Sequence, residues 1–109
     1  MKWYKNLYMG EYAGKKKNKI KWKVNHGVGM VDTYLITLPT NSSNLLDILP
    51  SWNLKWTFIR QGCPMIIGIA DGYEEAAYLV SSIVWEVYKA TGAFEIEKYL
   101  DVDFNVNGK

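Results

Sequence analysis

Cys63 and His26 are the only thiol and the only imidazole among 109 residues. Together they would be the minimal kit for nucleophilic catalysis, provided the imidazole touches the thiol and lowers its pKa. Each precedes an apolar run that reads as a strand, so both fall at the amino-terminal ends of a parallel sheet. Open α/β sheets bind their ligands at the opposite end. A buried thiol behaving as a small hydrophobe, with a loop histidine, accounts for both more simply. One His and one Cys are also too few soft ligands for a zinc site. The expectation is therefore no catalytic residue, no metal and no cofactor, with an enzyme the least favoured class.

Hydroxyl and amide groups cluster at Thr40, Asn41, Ser42 and Ser43, between an apolar run and a second segment that reads as a helix. Such a turn could hold a small polar ligand, although capping of the helix is its simpler use, with Ser42 or Ser43 as N-cap. The other turn between strand and helix, "ADGYEEA", carries Asp71, Glu74 and Glu75. Carboxylates there complement the helix dipole and repel a phosphate. Gly27-Val28-Gly29 precedes a strand, so it lacks the strand-to-helix context that gives a GxG pattern meaning.

The densest chemistry is basic. Lys15, Lys16, Lys17, Lys19, Lys21 and Lys23 surround Trp22 within nine residues. Lysines with interleaved aromatic rings can combine phosphate contacts with base stacking, so a nucleic-acid-binding accessory role using this segment is one reading. A solvated lysine face compensated by acidic groups elsewhere is the other. Residues 1–25 carry eight lysines against one glutamate, whereas residues 71–109 carry eight acidic residues against three lysines. A chain so polarised can satisfy itself, within one molecule or between copies.

The elements that must position these groups follow from length and pattern. The size fits one domain, residues 1–109, divided into a basic, aromatic-rich segment (1–25), an α/β core (30–100) and a polar tail (101–109). A lone cysteine, the lack of an apolar leader and the lack of a membrane-length apolar run give the expectation of a cytoplasmic protein with no membrane partner. Tyr34–Leu38 and Met65–Ala70 are short apolar, β-branched runs suited to buried strands. Between them lie the "TNSSN" turn, a helix stopped by Pro50, and a second helical piece from Trp52 to Arg60. The fold class expected is α/β: a small sheet containing two parallel strands joined by a helical crossover, with these two runs as neighbours. A long carboxy-terminal helix and the basic amino-terminal segment cover it.

The long helix spans Tyr73–Thr91, with Asp71 and Glu74 at capping-box spacing and Gly92 as the left-handed stop. At 3.6 residues per turn, Tyr73, Ala76, Ala77, Val80, Ile83, Val84, Val87 and Tyr88 form its inward stripe. Tyr78 and Trp85 fall on the opposite side. Large rings there are candidate interface anchors, for self-association or a protein partner, unless the aromatic amino-terminal segment folds over them. Phe94–Leu100 reads as a further strand or a packed tail. The lysine segment admits two structures. A helix aligns Ala13, Lys17, Ile20 and Val24; a strand would put Ile20, Trp22 and Val24 on one face. The run of lysines favours the helix.

"YLITLPTNSSNLLDIL" followed by "IIGIADGYEEAAYLVSSIVWEVYKATGAF" resembles short uncharacterised proteins of Gram-positive bacteria and their mobile elements. "WYKNLYMGE" is similar to their start, and the likeness covers most of residues 3–100. The resemblance implies a helical basic segment and carries no activity or site residue across. The residues point to a small binding or regulatory module acting through protein–protein contacts.

Overall fold

The computed structural model describes residues 1–11, 13–41 and 43–100. Ser42 and the 101–109 tail lie outside the described residues. Strand β1 (Trp3–Met9) is followed by a 3-10 turn (Ala13–Lys16) that runs into helix α1 (Lys17–Asn25). Strands β2 (Thr33–Thr37) and β3 (Asp47–Pro50) come next, then a second 3-10 turn (Ser51–Lys55), helix α2 (Thr57–Gly62), strand β4 (Ile66–Asp71) and helix α3 (Tyr73–Thr91). The strands form one mixed sheet in the order β1-β4-β2-β3, with helices on it, and the class is α/β.

β1 and β4 pair in parallel, while β2 runs antiparallel to both of its neighbours. The expected parallel pairing of Tyr34–Leu38 with Met65–Ala70 is therefore corrected: Leu35 lies opposite Ile69 in an antiparallel ladder. The reason is one extra strand. Asp47–Pro50, expected within a helix, instead turns back on β2, with Leu49 opposite Leu35. Direction is thereby reversed once before the helical crossover begins. Both β3 and β4 oppose β2, so they run the same way, and the crossover through the second 3-10 turn and α2 joins them with β2 inserted between.

The "TNSSN" segment closes this hairpin and caps no helix. Asp47 organises it: Oδ2 accepts from the Thr40 N–H (3.0 Å) and hydroxyl (3.1 Å), and Oδ1 accepts from the Asn44 amide (3.1 Å). Asn41 Oδ1 accepts from the Ser43 N–H at 3.0 Å, a local Asx turn.

Adjacent residues of the central strands serve opposite faces, which is why they read as continuous apolar runs. Ile36 and Ile67 pack with Ile83, Val87 and Tyr4 beneath α3; Leu35, Ile66 and Ile69 pack with Ile20, Val24 and Leu54 beneath α1 and the second 3-10 turn. Ile66 and Ile69 can share a face because Ile67 is an extra residue in the ladder, with Thr37 paired to Ile66 and Ile36 to Gly68. A β-bulge of this kind inverts the alternation beyond it. Gly68 eases the close approach of β1, since a Cβ there would stand 3.1 Å from the Tyr8 carbonyl oxygen.

The lysine segment is helical from Lys17 to Asn25, preceded by the 3-10 turn. Ala13, Ile20 and Val24 are buried, and Trp22 points away. The Gly27-Val28-Gly29 stretch is its stop. Gly27 has φ +71°, its N–H bonds the Val24 carbonyl, and the Val28 N–H bonds that of Lys23. This is the paired bonding of a Schellman motif.

Helix α3 has the expected bounds, and Gly92 (φ +73°) ends it. Its start differs from expectation. Asp71 belongs to β4, Gly72 precedes the helix, and Glu75, not Glu74, reaches back, accepting from the Asp71 N–H at 2.7 Å. Of the expected inward stripe, Ala76, Ile83 and Val87 are buried, whereas Tyr73 and Tyr88 are exposed. The expected helix from Trp52 to Arg60 is split at Trp56, whose backbone is extended. Phe94–Leu100 is no strand: residues 96–100 are helical, and Ile96 and Leu100, one turn apart, enter the core beneath α3.

Candidate functional site

The two helices that cover the sheet present different chemistry outward. On α3, Tyr78 is 75% exposed and Trp85 58%. The Trp85 and Tyr88 rings stack at 6.0 Å between centroids, and Tyr88 stacks in turn on Phe94 at 5.0 Å. Lys89 Nζ lies 5.9 Å from the Trp85 ring. Phe94 reaches this row because Gly92 turns the chain back along the helix. The result is a run of three stacked rings, with Tyr78 two turns further along the same side. The interface residues expected from sequence, Tyr78 and Trp85, are thus brought together on one open surface, and Tyr88 and Phe94 join them.

The amino-terminal segment does not cover these rings. It enters the sheet as β1, an edge strand, and meets α3 lower down. There Tyr8 donates to Glu86 Oε2 (2.5 Å), which also accepts from the Tyr99 hydroxyl (3.1 Å). Burial raises the Tyr8 pKa above its ordinary value, and the hydrogen bond to the Glu86 carboxylate raises it further.

Helix α1 carries the lysines on the other side of the sheet. Lys15, Lys16, Lys17 and Lys19 are exposed, and Lys21 and Lys23 are half-buried. Lys98 and Glu95 form an ion pair at 3.6 Å, and Lys16, Lys17, Lys19 and Lys23 meet no carboxylate within ion-pair distance among the described residues. Lys21 Nζ sits 5.4 Å from the Trp3 ring. Trp22 is stacked on His26, centroids 4.1 Å apart, with His26 Nδ1 donating to the Trp22 carbonyl at 2.7 Å. The i, i+4 spacing of Trp22 and His26 is a sequence signal for that stack.

Lys16, Lys19 and Lys23 also line a cleft of about 170 Å³ together with Thr33 and Asp71. Asp71 ends β4 and Thr33 begins the antiparallel β2, so the cleft lies at the carboxyl ends of the parallel strands.

The remaining candidates separate. Thr40 lines a cleft of about 360 Å³ with Asp47, Phe58 and Cys63, but its donors are already given to Asp47. Asn41 and Ser43 bond each other, and Ser42 lies outside the described residues. Cys63 Sγ donates to the Pro64 carbonyl, and burial pushes the thiol pKa up, partly opposed by the amino terminus. His26 is engaged with Trp22. The pairing that a thiol enzyme needs is not made. Among the described residues no three His, Cys, Asp or Glu side chains form a metal-sized group, and no helix is long and apolar enough to cross a membrane.

No family model, curated protein or solved structure matches the chain.

Proposed function

We propose that this protein is a small binding module that acts through protein–protein contacts on the outer face of α3. The observation that carries the reading is the exposed row of Tyr78, Trp85, Tyr88 and Phe94. Tyr and Trp are the residues that dominate interface energetics, and Trp85, Tyr88 and Phe94 are held by stacking on one another. Isolated exposed apolar residues need no partner, but a contiguous group of this size marks an interaction surface. The test is a photo-crosslinking residue substituted at Tyr78, irradiated in the producing cell, with the same residue at Asn18 on α1 as comparison. The expected result is a polypeptide adduct from position 78. Position 78 yielding none under conditions where the probe is incorporated and active overturns the reading.

A second reading is supported by the other helix. Lys16, Lys17, Lys19 and Lys23, which meet no carboxylate within ion-pair distance among the described residues, lie beside the Trp22–His26 stack and suit weak, sequence-independent binding of nucleic acid. A nucleic-acid adduct from position 18 supports it.

A further inference from the structure

Six exposed positions on the outer face of α3 pair by complementary type about a single midpoint, and this identifies what fits it. Going outward from the midpoint between Ser81 and Ser82, the pairs are Ser81 with Ser82, Tyr78 with Trp85, and Glu74 with Lys89. At 3.6 residues per turn all six fall on the solvent side of the helix, and all six are exposed. Two copies laid antiparallel about that midpoint would therefore set small residue against small residue, ring against ring, and carboxylate against ammonium, twice over. Parallel copies would set Glu74 against Glu74 and Lys89 against Lys89.

We infer that the partner of the α3 face is a second copy of this chain, joined as an antiparallel helix pair with Glu74 opposite the partner's Lys89 and Tyr78 opposite the partner's Trp85. The inference rests on the reading of α3 as the binding face. Each contact recurs through the two-fold axis, as a closed isologous dimer requires. The serines at the crossing point let the backbones approach, while the rings on either side fill the space that the tilt opens. Size is adequate. Four large aromatics, each able to bury ~150–250 Å² when fully covered, are here about half exposed and supply roughly 400 Å² per copy. With the serines and the charged ends, the pair reaches the ~1,000 Å² expected of a specific interface. Glu74 and Lys89 are about 22 Å apart along the helix, so each end carries its own electrostatic lock. The α1 face could not pair in this manner, because its charges are all of one sign.

Sedimentation velocity of the full chain over a wide concentration range tests this, with E74K, K89E and the double variant E74K/K89E. All substitutions are on exposed positions, and thermal unfolding of each variant checks that it folds. The expected result is a parent dimer, a dissociation constant at least tenfold weaker for each single variant, and recovery to within about threefold in the double variant. Like charges opposed in an interface are the repulsive element that produces this pattern. A parent monomeric at several hundred micromolar overturns the pairing. So does a dimer indifferent to the single variants, or one that the double change fails to restore. The two readings fail separately. A monomer whose position 78 still crosslinks to a different polypeptide loses the self-pairing but keeps the binding face; loss of all adducts at position 78 removes the face itself.

Discussion

Helices α1 and α3 solve one problem inward and two different problems outward. Each lays an apolar stripe on one face of the same four-stranded sheet: Ile20 and Val24 from α1, Ile83 and Val87 from α3. Outward, α1 shows lysines of a single sign around one stacked Trp–His pair. The outer face of α3 shows both signs, separated along its length, with rings between them. A surface of one sign can satisfy only a partner of the other sign and loses that partner with salt. A surface that carries both signs at mirrored positions can satisfy a copy of itself. The two covering helices thus differ in the kind of partner they can recognise, although their buried sides are interchangeable in chemistry.

The largest effect expected separates the two sides of α3 itself. Ile83 is fully buried against Ile36 and Ile67, and Ile83→Ala leaves a cavity between helix and sheet. A loss of about 3 kcal/mol is expected in urea unfolding. Trp85→Ala, half a turn away in angle, should change the stability of the monomer by no more than about 0.5 kcal/mol while weakening association. If Trp85→Ala destabilises the monomer as much as Ile83→Ala, the outer rings belong to the core and the contrast between inner and outer side collapses.

The contrast between α1 and α3 is sharpened by salt. Single-stranded DNA should bind weakly, its log affinity falling with log salt by roughly 0.7 for each phosphate contacted. The triple change K16E/K19E/K23E should lower that slope by about 2 and the affinity by tenfold or more at low salt. It should leave sedimentation unchanged, because those lysines are on the other face of the sheet from α3. A triple variant that binds as the parent does removes α1 from nucleic-acid recognition. One that loses self-association instead would place α1 in the protein interface and break the comparison.

What was legible in the sequence follows physical range. Helix α3 was legible to the residue, because a 3.6-residue apolar period ending in Gly92 is local information. The two central strands were legible within one residue for the same reason. Their relative direction was not: period and apolarity are identical for a parallel and an antiparallel neighbour. That direction depends on "DILP", whose role is fixed by Asp47 holding Thr40 and Asn44 across the hairpin, and Ser and Asn before an apolar run serve a helix cap equally well. β1 was missed because its match with β4 is irregular, with Trp3 opposite Ile66 but Tyr8 opposite Gly68. In the candidate site, Tyr78 and Trp85 followed from angle alone. Tyr88 stands at the margin of the inward stripe, and its stacking partner Phe94 comes from beyond Gly92, outside the helical period.

A smaller loss than that of Ile83→Ala is expected where the amino-terminal strand meets α3. Glu86 accepts from both Tyr8 and Tyr99, so Tyr8→Phe removes one of two donors and leaves the carboxylate held. The cost near neutral pH should be about 1 kcal/mol, since the group is partly exposed and water replaces the lost bond. Its pH dependence has a defined sign. Burial and Glu86 raise the folded-state pKa of Tyr8 above the ordinary value near 10. The native state then holds its phenolic proton more tightly than the unfolded chain. The stabilisation is complete below about pH 10 and is lost as pH rises above it. Tyr8→Phe has no such proton, so urea midpoints of parent and variant should converge above pH 10 after running in parallel between pH 7 and 9. A gap that stays constant or widens at high pH would mean that Tyr8 acts by packing alone, and that the contact between β1 and α3 is apolar where the structure shows a charge-assisted hydrogen bond.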